Sequence, residues 1–158
     1  MKIEIFGDGL DRSAIPAVTR HVSARGIVVK DGRILGLWRP KLDVYTLPGG
    51  GKEAAESLSA CVEREVLEET GAIVQVGKET CVVIEYFRDS IWESHFFPCE
   101  ATGRTGSSQL TAEESALGLE ASWYDLYEFL QLLETHESTN PCGANIHQRE
   151  LIGLMNTL

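Results

Sequence analysis

Apolar and β-branched residues fall in short runs along this chain, and their spacing separates strands from helices. Lys2–Phe6 predicts a short strand, followed by a connector with Gly7, Gly9 and Pro16. Two longer alternating runs, His21–Val29 and Arg33–Trp38, flank Asp31-Gly32, a strong hairpin signal. Tyr45–Leu47 predicts a brief extended piece, and at Pro48-Gly49-Gly50-Gly51 regular structure is expected to stop. Ser57–Thr70 has helical spacing, with Ser57 placed to cap its start and Gly71 its end. Ile73–Val76, Cys81–Phe87 and Trp92–Phe97 are rich in β-branched and aromatic residues and predict strands. Gly103–Ser108 reads as a loop, Ala121–Tyr124 as a last strand, and Asp125–Leu133 and Ile146–Met155 as helices joined through a loop at Glu137–Gly143. Strands outnumber helices without alternating strictly with them, which predicts an α/β (α+β) fold with a mixed sheet flanked by helices.

The helix at 57–70 is the one whose pattern is not explained by a hydrophobic core. At about 100° per residue, Leu58, Val62 and Val66 form one stripe with Cys61 beside it. Glu65 and Glu69 fall inside that stripe and Glu68 at its edge. Acidic helices are most often wetted faces, but these carboxylates point inward. Buried unpaired charge is costly, and three carboxylates sharing a site repel one another and push their pKa values up. A cation removes both costs, and several carboxylate oxygens on a rigid element are what a hard divalent ion requires. Arg64, beside Glu68, is placed to aim a glutamate by hydrogen bonding. The glycine turn ahead of the helix lets the backbone approach a ligand closely and offers a carbonyl as a further oxygen donor.

Composition narrows the choice of partner. The chain has 158 residues, enough for a single domain with one sizeable core, and a first segment at 1–19 is read as its N-terminal strand and connector. Its net charge of −10 disfavours nucleic acid and anionic membranes, both of which recruit basic patches. It suits a small substrate whose negative charge is balanced by metal ions. Cys61, Cys81, Cys99 and Cys142 are widely spaced and form no CxxC, so reduced thiols are expected. The opening MKIEIFGDGL has no apolar run of signal-peptide length, and no segment is apolar enough to span a membrane, so a cytoplasmic location is expected. A homodimer stays open.

Gly50, five residues, Glu56, seven residues, then Arg64-Glu65-Val66-Leu67-Glu68-Glu69-Thr70-Gly71 resembles the Nudix box, G-x5-E-x7-R-E-U-x-E-E-x-G-U. Only the final bulky aliphatic departs: Ala72 stands there, with Ile73 beside it to fill the space. The match covers 23 of the 158 residues and is highly specific, and Pro48-Gly49-Gly50 also looks like the family's lead-in. The resemblance implies a Nudix-type α/β/α sandwich across 1–158, and hydrolysis of the diphosphate in a nucleoside diphosphate linked to another moiety, such as a nucleoside triphosphate or nucleotide sugar, with Mg2+ or Mn2+ as cofactor. It implies Glu65, Glu68 and Glu69 as metal ligands with the Gly49 carbonyl, Arg64 as their catalytic companion, and Gly50, Glu56 and Gly71 as supports. The general base varies in this family: Glu65 is one candidate, and Glu113 or Glu114, after the Gly103–Ser108 loop, are others. On the substrate side, Arg39, Trp38 and Glu114 are the candidates. Trp38 is by type more often a core residue, and His95, Tyr86 and Phe97 read as structural. The proline found at Glu85–Asp89 in many ADP-ribose hydrolases is absent, as is the extra motif of coenzyme A hydrolases. The alternative is a non-catalytic Nudix module that binds nucleotides as a sensor. An intact glutamate set argues against it.

Overall fold

The computed structural model describes residues 1–158, the side chain of Leu117 aside. Its elements are β1 (Lys2–Phe6), a single 3₁₀ turn (Arg12–Ala14), β2 (Thr19–Lys30), β3 (Arg33–Arg39), β4 (Val44–Thr46), β5 (Gly49–Gly51), α1 (Leu58–Thr70), β6 (Ala72–Val76), β7 (Cys81–Tyr86), β8 (Ser90–Thr105), α2 (Ala112–Leu117), β9 (Glu120–Asp125), α3 (Leu126–Thr135) and α4 (Gly143–Met155). The strand path runs β1-β7-β8-β2-β3-β4, with β5 on β2, β6 on β8 and β9 on β3. β1 pairs with β7, and β2 with β8, in parallel; the other pairings are antiparallel, so the sheet is mixed as the pattern predicts. No helix among the described residues is long and apolar enough to cross a membrane.

The long strand β2 organises both layers, because successive side chains of a strand face opposite sides. Ala24 and Val28 join Cys61, Val62 and Val66 of α1 in one core. Ile27 faces the other way, into a core with Phe129 and Leu133 of α3 and Leu154 of α4. The result is an α/β/α sandwich, with α1 on one face and α3 and α4 on the other. Arg25 shares the α4 side with Ile27, and this placement matters below.

Several elements differ from the sequence reading, α4 for example starting at Gly143 and not at Ile146, and four differences have a plain physical reason. Structure does not stop at the glycines: Gly49–Gly51 form β5, with Arg25 opposite Gly49 and Ser23 opposite Gly51. A Cβ on Gly49 would lie 2.2 Å from the Ala24 carbonyl oxygen, so the missing side chain that marks a breaker in sequence is what lets this strand dock. β8 runs on through Gly103 to Thr105, because its far end pairs with β6. The stretch after the loop contains α2, whose start is a capping box: Glu114 N–H donates to the Thr111 hydroxyl and Thr111 N–H to the Glu114 carboxylate. Finally, Ala72 itself, not Ile73, packs with Val74 against the α1 core, as the two-residue pleat requires.

Candidate functional site

α1 is built as its sequence directs. The Ser57 hydroxyl accepts from the Ala60 amide, and Gly71 ends the helix with φ 75° and an N–H donated to the Leu67 carbonyl. Cys61, Val62 and Val66 are buried, and so are Glu65 and Glu69, at 8% and 3% exposure. The inward stripe therefore carries its carboxylates into the protein.

Glu65, Glu69 and Glu114 each place a carboxylate oxygen within 4.8 Å of the other two. Glu114 reaches them from α2, and that helix is tied to α1 through the segment before it. The Gln109 N–H and the Ser108 hydroxyl both donate to the Glu68 carbonyl, at 2.9 and 3.0 Å, and the Gly106 N–H to the Gly71 carbonyl at 2.8 Å. Of the two late glutamates, then, Glu114 belongs to the site while Glu113 lies exposed in the first turn of α2. Glu68 stands apart from the trio, half-buried, with its carboxylate accepting from Arg64 Nη1 at 3.2 Å.

Two guanidinium groups border the cluster. Arg39 Nη2 donates to Glu69 at 2.8 Å. Arg64 donates to Glu65 and to Glu56, each at 2.7 Å, and to the Gly51 carbonyl at 3.2 Å, so it locks turn and helix together. These bonds hold the Glu56 carboxyl down at about 2. Glu69 goes the opposite way: burial pushes it up to about 7, against the opposing pull of Arg39 and the Gly49 amide. Glu65 is also raised, chiefly by burial and against Arg64. Three carboxyl groups brought together make a donor set of oxygens alone, the set a hard divalent cation takes up.

The glycines give this geometry its closeness. A Cβ on Gly50 would fall 2.6 Å from the Glu65 carboxylate. Gly49 meets the cluster through its amide, which donates to Glu69 at 2.8 Å, while its carbonyl accepts from Arg25 at 2.9 Å. Trp38, one residue before Arg39, lies against Tyr45 with ring centroids 4.4 Å apart and meets His136 edge-on at 5.6 Å. His95 sits on β8 between the carboxylates of Glu79 and Glu93, away from the cluster, and Tyr86 and Phe97 are buried, in keeping with their structural reading.

Arg25, Glu85, Arg149 and Glu150 form a buried charge group that the sequence reading passed over. A helical projection of α4 would have exposed part of it, since His147, Glu150, Leu151 and Leu154 share one stripe.

Residues 19–142 match the family model of the NUDIX domain. A "MutT-like protein" of Streptomyces ambofaciens is 36% identical over 97 residues, and the aligned part covers 61% of this chain and 60% of that relative. Among solved structures, a NUDIX hydrolase from Nitrosomonas europaea superposes with a TM-score of 0.63 at 19% identity, covering 83% of this chain and 88% of the other. An ADP-ribose pyrophosphatase from Streptococcus suis gives a TM-score of 0.55 at 16% identity, over 85% and 90% of the two chains. At these identities the structural matches speak for the fold.

Proposed function

The chain belongs to the Nudix family, and on that premise we propose that it is a pyrophosphohydrolase, cleaving the diphosphate linkage of a small nucleoside diphosphate derivative with Mg2+ or Mn2+. The observation that carries this reading is the convergence of Glu65, Glu69 and Glu114, two of them buried, on one point bordered by Arg39 and Arg64. Glu65, Glu69 and Glu114 would hold the ion. Glu68 at the helix edge is a further donor, and the Gly49 carbonyl keeps its second lone pair for the same purpose. When bound, the ion offsets diphosphate charge and lowers the pKa of water.

The chain's own residues supply the rest. Arg64 aims Glu65 by a short charge-assisted hydrogen bond and opposes the upward push of burial on its pKa. Arg39 aims Glu69 in the same way, with its Nε on the Thr46 hydroxyl, and is the cation beside the cluster for a phosphate group to meet. Glu65 and Glu114 are the carboxylates able to take a proton from an attacking water. Glu65 suits that task because burial raises its pKa toward the working range of a general base. Trp38 faces the other side of β3 from Arg39, packed on Tyr45 and His136, and has no place in this reading.

The test is a panel of nucleoside triphosphates, nucleotide sugars and ADP-ribose, assayed for nucleoside monophosphate or phosphate release with and without Mg2+ or Mn2+. Release of product only with the metal is expected. Binding of a panel member without any turnover would favour the sensor module instead, and turnover in excess chelator would overturn the metal assignment.

A further inference from the structure

We infer that Arg25 on β2 and Glu150 on α4 are positioning residues of the glutamate site, acting through the Leu47–Gly49 turn. The turn is held at four points. The Leu47 N–H donates to Glu150 Oε2 at 3.0 Å, and the Gly26 N–H to the Pro48 carbonyl at 2.8 Å. The Gly49 carbonyl accepts from Arg25 Nη1 at 2.9 Å, and the Gly49 N–H donates to Glu69 at 2.8 Å. Glu150 also faces Arg25, with its Oε1 lying 3.5 Å from Arg25 Nε and 2.7 Å from Arg149 Nη2. One carboxylate on the last helix thus holds the turn directly and through a guanidinium, and the turn in turn holds Glu69.

The group has no plain structural purpose. Glu150 is fully buried and only 12% of the Arg25 side chain is exposed, and taking two charges out of water costs more than a well-packed apolar pair would. Arg25 Nε is a buried side-chain polar atom with no hydrogen-bond partner among the described residues. Arg25 makes its hydrogen bond to the Gly49 carbonyl, while its Nε stays 3.5 Å from Glu150 Oε1. A fork reaching both Glu150 and a backbone carbonyl is something only arginine provides. What the arrangement yields is a Gly49 peptide held in a single orientation, with its amide on Glu69.

This deepens the hydrolase reading and relies on it for one measurement only. Three variants are compared with the wild type: Arg25→Met, Arg25→Lys and Glu150→Gln. They are read by melting temperature, by Mn2+ affinity from water-proton relaxation, by hydrogen exchange of the Gly49 amide, and by kcat and KM. Supporting partners of metal ligands typically carry about 10- to 100-fold in affinity or rate. Arg25→Met and Glu150→Gln are expected to weaken Mn2+ binding and lower kcat by that range with KM changed little, and to speed exchange at Gly49. Arg25→Lys keeps the charge and loses the fork, so it is expected to restore melting temperature but neither kcat nor Gly49 protection. If the methionine variant does not fold, the lysine and glutamine variants carry the comparison. Wild-type Mn2+ affinity and Gly49 exchange in the folded variants, or full recovery by lysine, would overturn the inference. A wild type inactive on every substrate would remove the hydrolase reading and leave the metal and exchange readouts standing.

Discussion

Glu69 accepts a backbone amide on one oxygen and a guanidinium on the other, yet burial still lifts it to about 7. A carboxyl whose folded pKa lies above its unfolded value, here about 7 against 4.5, stabilises the fold below the unfolded pKa, and that contribution is lost as pH rises through the folded one. Metal-free protein should therefore lose about 3 kcal/mol from this residue between pH 4.5 and a little above 7, with Glu65 adding in the same sense. Denaturant titrations in chelator across that window check it. Excess Mg2+ should flatten the slope by binding the ionised form, and stability that rises over the same window would contradict the assignment. Glu69→Gln should flatten the slope too, since the amide does not titrate, while lowering hydrolysis by about two orders of magnitude or more. That pair of results separates a lost ligand from a lost fold.

At the scale of elements, the site is one helix, one glycine strand and one short cap. α1 and its inward glutamates were legible because their spacing is local and periodic, and Ser57 and Gly71 mark its ends. β5 was hidden, because glycine reads as a breaker unless the partner strand is known, and pairing with β2 is a long-range event. α2 was missed, although Thr111-x-x-Glu114 is a capping-box signature in the sequence itself. That cap orients Glu114, so Thr111→Ala should weaken Mn2+ binding several-fold with a stability loss of about 1 kcal/mol, measured by titration and thermal melting. Unchanged affinity would mean that Glu114 takes its place without α2. Gly50→Ala is a sharper probe of the turn: the added methyl meets the Glu65 carboxylate at 2.6 Å. It should abolish metal-dependent turnover while the circular dichroism of the sandwich is retained.

For the whole molecule, the mixed sheet between α1 and the α3–α4 pair follows from alternation along β2, which the sequence shows clearly. The charges that link the last helix to the turn were not legible. Arg25 reads as the polar member of an alternating strand, and only the packing of α4 against that side shows it to be buried opposite Glu150. The central claim concerns three carboxylates brought together from α1 and α2. The most direct measurement is product release from the preferred panel substrate as Mg2+ is titrated, for the wild type, Glu69→Gln and Glu114→Gln. The account predicts saturable activation by the metal in the wild type. In both variants it predicts a rise in the half-saturating Mg2+ concentration or a loss of turnover by about two orders of magnitude. Wild-type metal dependence and rate in either variant, with its fold intact, would contradict it.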